Sequence, residues 1–197
     1  MTDLEERTLQ SLCAEARYET AYRTLVDRLS APMYRLALRM GLNHDDAQDV
    51  LQEAFISIWK ALPKFRGESK FSTWVYRIVS NEALAALRRQ QRRRLWTVPE
   101  TEAPEAAALS QADAPFFDAD ETLRQLHRAQ SLLPEKQRLV FQLRYFDELP
   151  YSDIAAITGT SEGGLKANYH HAVQKIRSYL QQIKPETTDD LLQSENP

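Results

Sequence analysis

The chain has 197 residues, of which 43% are hydrophobic and 27% are charged, a balance typical of globular rather than disordered proteins. Its formal net charge is −3, and its single cysteine, Cys13, excludes an internal disulfide and a thiolate metal cluster. Five glycines are few for this length, which favours helices over a turn-rich β fold. The N-terminus lacks an apolar signal segment and no stretch approaches the roughly 20 apolar residues of a membrane span, so we expect a cytoplasmic protein.

The net charge hides a segregated pattern along the chain. Residues 77–94 contain six arginines and one glutamate, whereas residues 95–123 contain seven acids and no Lys or Arg. Residues 163–184 contain four Lys or Arg and no acid. Because basic segments attract phosphates and acidic segments repel them, two separate parts of the chain are candidates for binding nucleic acid.

The first half of the chain is predicted to consist of amphipathic helices. Apolar residues recur at helical spacing over residues 18–29 and stop near Pro32. The spacing continues over residues 33–40 as far as Gly41, which is suited to a helix C-terminus.

The clearest predicted helix follows Asn43. Asn43 is a favourable N-cap, two aspartates stand in the first turn where the helix dipole favours anions, and Pro63 closes the helix. Asp49, Gln52 and Glu53 lie off its apolar stripe. The stripe itself comprises Ala47, Val50, Leu51, Ala54, Phe55, Ile58, Trp59 and Leu62.

A loop over residues 64–70 precedes a helix that is predicted to run over residues 74–94, with Ser72 or Thr73 as its cap. Aromatic and cationic side chains alternate across the loop and the start of this helix, a combination that can hold unstacked bases and phosphates. We expect Trp74 to be core. The candidates for DNA contact are Phe65, Arg66, Lys70, Phe71 and Tyr76, and the three aromatic side chains among them suit either a core or a DNA contact.

A change of composition separates the two halves of the chain. Residues 95–120 are rich in Ala, Pro and acids without periodicity, which predicts an extended, flexible acidic linker. Helical spacing returns over residues 121–184, and residues 185–197 form a polar tail.

In the second half of the chain, residues 152–183 have the dimensions of a helix-turn-helix. Ser152 is predicted to cap a short helix, residues 159–161 to form the turn, and Ser161 to cap a longer helix. In this motif the second helix enters the major groove of DNA, although a plain helical hairpin with a basic face would show the same pattern. The exposed candidates for contact with bases are Lys166, Asn168, His170 and His171, with Lys175 and Arg177 positioned for phosphates.

Five short stretches of the sequence together carry a resemblance to a known family. Residues 45–55, 65–67 and 72–81 resemble conserved region two of bacterial RNA polymerase sigma factors, closest to the extracytoplasmic-function (ECF) class. Residues 133–138 and 151–155 resemble region four. In chain order the strings are DDAQDVLQEAF, FRG, STWVYRIVSN, LPEKQR and YSDIA.

The resemblance implies core RNA polymerase and promoter DNA as partners, together with an anti-sigma factor. It implies that Asp49, Gln52 and Glu53 dock on the clamp helices of the largest polymerase subunit. The acidic linker would thread the polymerase near the paths of template and RNA.

The resemblance also implies how promoter DNA is read. The 64–70 loop and the start of the following helix would trap a base flipped from the minus-ten element, with Asn81 nearby, and Arg88 and Arg89 would grip the adjacent duplex. The recognition helix would read the minus-thirty-five element. The start of that helix, GLKANYHH over residues 164–171, departs from the family's usual basic sequence, so promoter preference does not carry over.

Two other functions compete with this interpretation. A stand-alone helix-turn-helix regulator would need a dimer seam, and the sequence contains no heptad repeat. An enzyme would need a constellation such as a nucleophile elbow, a phosphate-binding Gly loop or a zinc spacing, and none is present. We therefore predict no catalytic residues, no metal and no cofactor.

The sequence thus predicts an all-α protein of two small helical domains, each with its own core. Residues 1–94 form a three- to four-helix bundle like sigma region two, and residues 121–184 form a helix-turn-helix domain like sigma region four. The flexible acidic linker, residues 95–120, joins them.

Overall fold

The computed structural model describes residues 1–97 and 121–183, and every regular element in these two ranges is helical, as predicted. The linker beyond Thr97 and the polar tail lie outside the described residues. The α-helices are α1 (Asp3–Ala14), α2 (Tyr18–Arg39), α3 (His44–Ala61), α4 (Phe71–Thr97), α5 (Glu121–Ser131), α6 (Glu135–Phe141), α7 (Tyr151–Thr158) and α8 (Glu162–Gln182). A 3-10 turn (Leu62–Lys64) follows α3, and a π-helical turn (Gln142–Phe146) follows α6.

Helix α1 was not predicted from the sequence. Thr2 caps it, and Glu5 completes a capping box by accepting a hydrogen bond from the Thr2 backbone N–H. Leu9 and Leu12 are buried against the rest of the first domain. Glu5 also pairs with Arg28 of α2 at 3.1 Å, so α1 is tied to its neighbour by both packing and charge.

Helix α2 continues through Pro32, so the predicted break there is wrong. A proline inside a helix removes one backbone hydrogen bond, but Leu29 and Met33 on either side of it are buried and favour a single continuous helix. The helix ends at Arg39, and Gly41 lies two residues further on, in the turn that stops it, as predicted. Gly41 has φ +97°, and the N–H groups of Gly41 and Leu42 donate to carbonyls of the last turn.

Helix α3 begins where the sequence predicts, but its buried apolar stripe differs from the predicted one. The Asp46 N–H donates to Asn43 Oδ1 at 2.7 Å, which confirms the N-cap. Pro63 lies in the 3-10 turn that closes the helix. Trp59 is 45% exposed, so it lies outside the buried stripe to which the sequence assigned it.

Helix α4 begins at Phe71 and extends three residues past the predicted end at Arg94. Neither Ser72 nor Thr73 is its cap, because both lie inside the first turn. The cap comes from a residue of α1, described below.

The helix-turn-helix of the second domain is formed by α7 and α8. Helix α7 begins at Tyr151 after Pro150, without a side-chain cap, so the predicted Ser152 cap is wrong. Gly159 ends it in the left-handed region at φ +68°. Ser161 caps α8 as predicted, because its Oγ accepts from the Gly164 N–H at 3.3 Å.

The two domains share one hydrophobic cluster, which corrects the prediction of separate cores. The second domain retains a smaller cluster of its own, made by Ala129, Leu133, Phe141, Ala172 and Ile176. The shared cluster includes Leu36, Val75 and Val79 from the first domain and Leu139, Leu143, Ile154 and Leu165 from the second.

Polar contacts reinforce this joint core. Arg39 Nη2 lies 2.8 Å from Asp147 Oδ1, and Arg39 Nε donates to Gln142 Oε1 at 2.9 Å. Arg138 Nη1 donates to the Met40 carbonyl at 2.7 Å. The described residues therefore form a closed arrangement in which α6 and α7 pack against the first domain.

Candidate nucleic-acid interface

The loop that follows α3 is closed at its base by aromatic rings. Phe65 stacks on Phe71 with ring centroids 4.1 Å apart and lies 5.0 Å from the Trp74 ring. Between these rings Arg66 and Lys70 are exposed. The loop therefore presents two cations on a fixed aromatic base, and Phe65 is the half-buried ring of that base.

Two of the predicted DNA contacts are buried. Phe71 has no exposed surface and Tyr76 is 8% exposed, so neither ring can stack on a base in this arrangement. Burial raises the pKa of Tyr76 well above its usual range, and the charge of Asp147 adds to the effect. Both aromatics are core residues, and the expectation that they contact DNA is corrected.

The outer face of α4 carries the other predicted contacts of the first domain. Asn81, Arg88 and Arg89 are exposed there. Arg88 Nε lies 3.6 Å from Glu135 of α6, with the arginine side chain 58% exposed. The Glu135 side chain is 20% exposed, so only the arginine side of this pair is open to solvent.

The acidic face of α3 lies beside the basic end of α4. Asp49, Gln52 and Glu53 are exposed, and they line one groove together with Arg89 and Arg93. The predicted polymerase contacts and a predicted DNA contact therefore share one charged surface.

An apolar patch continues the exposed face of α3. Ile56 and Trp59 are 39% and 45% exposed, and they follow Gln52 and Glu53 at helical spacing. The Trp59 ring meets the Tyr22 ring of α2 at 5.1 Å, and both line a groove between α2 and α3. Sequence reasoning missed this patch because it placed Trp59 in the buried stripe.

Helix α8 presents most of its predicted contacts to solvent. Lys166, His170, His171 and Lys175 are exposed. Lys166 Nζ lies 5.7 Å from the Tyr151 ring centroid, and Lys175 Nζ donates to Gln137 Oε1 at 3.2 Å.

Asn168 differs from the other residues predicted to contact bases. It is half-buried in a groove that is also lined by Arg88, Gln91 and Glu135. The closed arrangement thus places Asn168, a predicted minus-thirty-five contact, beside Arg88, which was predicted to grip the duplex next to the minus-ten element.

The described ranges, 1–97 and 121–183, lack two features that mark other kinds of protein. Neither range contains a cluster of three or more His, Cys, Asp or Glu side chains that could hold a metal ion. Within the same residues, no helix has the length and apolarity of a membrane span.

Comparison with known proteins decides which family has this architecture. Residues 25–93 match the family described as Sigma-70 region 2, and residues 123–176 match Sigma-70, region 4. The RNA polymerase sigma-H factor of Pseudomonas aeruginosa is 31% identical over 83% of this chain and 88% of its own length. The chain belongs to the sigma-70 family.

Further relatives place this sigma factor in the ECF class. The ECF RNA polymerase sigma-E factor of Escherichia coli K12 is 30% identical over 84% of this chain and 89% of its own length. The function of the chain is that of a promoter-directing initiation factor. The comparisons do not favour a stand-alone regulator.

Solved structures share the fold of this sigma factor. CnrH in complex with the cytosolic domain of CnrY superimposes with a TM-score of 0.67 at 22% identity, covering 90% of this chain and 98% of that one. The sigma factor RpoE of Bartonella quintana, bound to the anti-sigma factor NepR, gives a TM-score of 0.63 at 23% identity over 81% of this chain and 95% of that one.

Proposed function

We propose that this sigma factor binds core RNA polymerase through the exposed face of α3 and directs it to promoters with the loop before α4 and with α8. The observation that carries the proposal is the composition of that α3 face. Asp49, Gln52 and Glu53 supply charge and hydrogen bonds, and Ile56 and Trp59 supply exposed apolar area on the same side of the helix.

A surface of this composition is typical of a protein–protein interface. Large aromatic side chains dominate binding energy when a partner desolvates them, and surrounding polar groups fix orientation. Trp59 is already held at its inner edge by Tyr22, so little side-chain entropy is lost when a partner covers it. We assign Ile56 and Trp59 to the polymerase-docking surface alongside the three polar residues.

The proposed contacts with the minus-ten element lie on the loop and on α4. Arg66 and Lys70 would hold the backbone of the separated strand, with the Phe65 edge against an unstacked base. Asn81 would lie close to that base, while Arg88 and Arg89 would bind phosphates of the adjoining duplex. Capture of an unstacked base offsets part of the free energy that strand opening costs.

The proposed contacts with the minus-thirty-five element lie on α8. Lys166, Asn168, His170 and His171 would face base edges in the major groove, and Lys175 would bind a phosphate. Because Asn168 is half-buried between the domains, α8 reads DNA fully only after the domains separate. We propose that docking on polymerase separates the domains and sets their spacing on the promoter.

The remaining features of the proposal follow from the family. The protein would act in the cytoplasm, without catalysis of its own and without a cofactor. An anti-sigma protein is a further proposed partner, since both solved neighbours are described in complex with another protein, in one case an anti-sigma factor.

Polymerase binding by α3 variants tests the proposal. We expect Trp59→Ala and Glu53→Ala each to weaken the affinity for core polymerase at least about tenfold, because residues that anchor an interface contribute about 1–2 kcal/mol or more. Leu132→Ala is the matched control, since Leu132 is 56% exposed but lies in the second domain. Wild-type affinity of both α3 variants would show that the docking surface is elsewhere, and failure of the holoenzyme to start RNA at a defined position would refute the function.

A further inference from the structure

A carboxylate of α1 caps the helix that carries the proposed minus-ten contacts. Glu6 is 6% exposed, and its Oε2 accepts a hydrogen bond from the Phe71 N–H at 2.7 Å. Its Oε1 accepts from the Ser72 N–H at 3.1 Å and from the Ser72 Oγ at 2.7 Å. Sixty-five residues separate Glu6 from Phe71, so this is a tertiary cap and not a local one.

The position of this carboxylate is electrostatically favourable. The first backbone N–H groups of a helix have no partner within the helix, and the helix dipole places partial positive charge there. Helix α4 has 27 residues and no acidic side chain in its first turn. Glu6 therefore supplies the negative charge and the acceptors that the sequence of α4 itself lacks.

The cap also fixes both ends of the loop that we propose to capture a base. Glu6 holds the Phe71 backbone, and the Phe71 ring stacks on Phe65 at the other end of the loop. Gly67 turns the chain between them at φ +72°, and Arg66 and Lys70 project into solvent. A single buried carboxylate thus connects α1 to the geometry of the loop.

We propose that Glu6 is a positioning residue for promoter opening, acting through Phe71 and Phe65 on the loop of residues 66–70. This inference rests on the proposed function of that loop. With Glu6 in place the loop is held in one conformation before DNA arrives, so little ordering free energy is spent when an unpaired base binds. Without the carboxylate, the first turn of α4 loses its charged acceptor and the base of the loop is released.

The test measures two affinities for Glu6→Gln, which keeps the size of the side chain and removes its charge. One is the affinity for core polymerase. The other is the affinity of the assembled holoenzyme for the single-stranded non-template oligonucleotide of a promoter that the wild-type holoenzyme transcribes. We expect affinity for the oligonucleotide to fall about tenfold, the scale of one lost hydrogen bond to a charged group, with polymerase affinity within about twofold of wild type.

Leu12→Ala is the matched control. Leu12 is also a buried residue of α1, and its substitution leaves the Glu6 carboxylate in place. We expect this variant to lower the melting temperature and to bind the oligonucleotide as the wild type does. Wild-type oligonucleotide affinity of Glu6→Gln, or an equal loss in both variants, would overturn the positioning role. If the wild-type holoenzyme itself does not bind the oligonucleotide, the proposed function of the loop fails first, and this inference fails with it.

Discussion

Breaking the ion pair between Arg39 and Asp147 tests the joint core directly. Its side chains are 12% and 10% exposed, and Arg39 Nη2 and Asp147 Oδ1 are 2.8 Å apart. Asp147→Ala would remove the carboxylate and leave the guanidinium buried. Such a change destabilises proteins by about 3–5 kcal/mol when the remaining charge has no other partner.

The contacts that remain around Arg39 reduce this cost. Gln142 Oε1 still accepts from Arg39 Nε, and the Phe146 ring centroid lies 4.9 Å from the guanidinium carbon. We therefore expect Asp147→Ala to lower the free energy of unfolding by about 2–3 kcal/mol.

The pKa of Asp147 indicates how stable a double variant, Arg39→Met with Asp147→Ala, would be. Burial raises this pKa even though Arg39 acts to lower it, so the cost of desolvating the carboxylate offsets much of the attraction within the pair. Removing both charges then eliminates two desolvation costs together. We expect Arg39→Met combined with Asp147→Ala to regain at least about 1 kcal/mol relative to Asp147→Ala alone.

Urea unfolding followed by circular dichroism measures these differences. The control is Glu19→Ala, which removes a pair with Arg23 at 3.1 Å whose side chains are 79% and 73% exposed, and which should leave stability unchanged. An Asp147→Ala variant as stable as the wild type would contradict this expectation. So would a double variant whose loss of stability equals the sum of the losses of Arg39→Met and Asp147→Ala measured separately.

Two further predictions concern the second domain. Burial, with a smaller effect from Arg39, lowers the pKa of His127, so the folded protein binds this proton less readily than the unfolded chain. The contribution of His127 to stability is present above the unfolded pKa of about 6.5 and is lost as pH falls from there toward the lowered value. Thermal melting at pH 7.5 and 5.5 should therefore show a smaller loss of stability in His127→Gln than in the wild type, with His171→Gln, a substitution of an exposed histidine, as the control. Gly159→Ala should lower the free energy of unfolding in urea by about 1 kcal/mol, because the backbone at Gly159 has φ +68°. Gly163→Ala is the control and should cost no stability, because the space around its Cβ position is open. Equal losses in the two variants would contradict the argument from backbone conformation.

Parts of the candidate site were predictable because they depend on local chemistry. Cationic and polar side chains on the outer face of a helix stay in water whatever the helix packs against, and Asn81, Arg88 and Arg89 are exposed accordingly. Aromatic side chains were harder to place, since they suit either a core or an interface. Phe71 and Tyr76 were predicted to contact DNA and are buried, whereas Trp59 was predicted to be core and is exposed.

The sequence by itself determined the helical class of the protein and those helix ends that a nearby residue can set. Asn43 and Ser161 cap their helices because the N–H groups they accept from lie three residues ahead, and Gly41 and Gly159 adopt the left-handed conformation that ends a helix. These features need no distant part of the chain.

The tertiary structure alone decided the features that depend on partners far apart in sequence. The cap of α4 is Glu6, and the joint core depends on Arg39 meeting Asp147, 108 residues away. Periodicity indicates which side of a helix is apolar, but burial depends on which other helix covers that side. Only folding brings those distant groups together, and for that reason the tertiary structure decided both the cap of α4 and the contacts of the joint core.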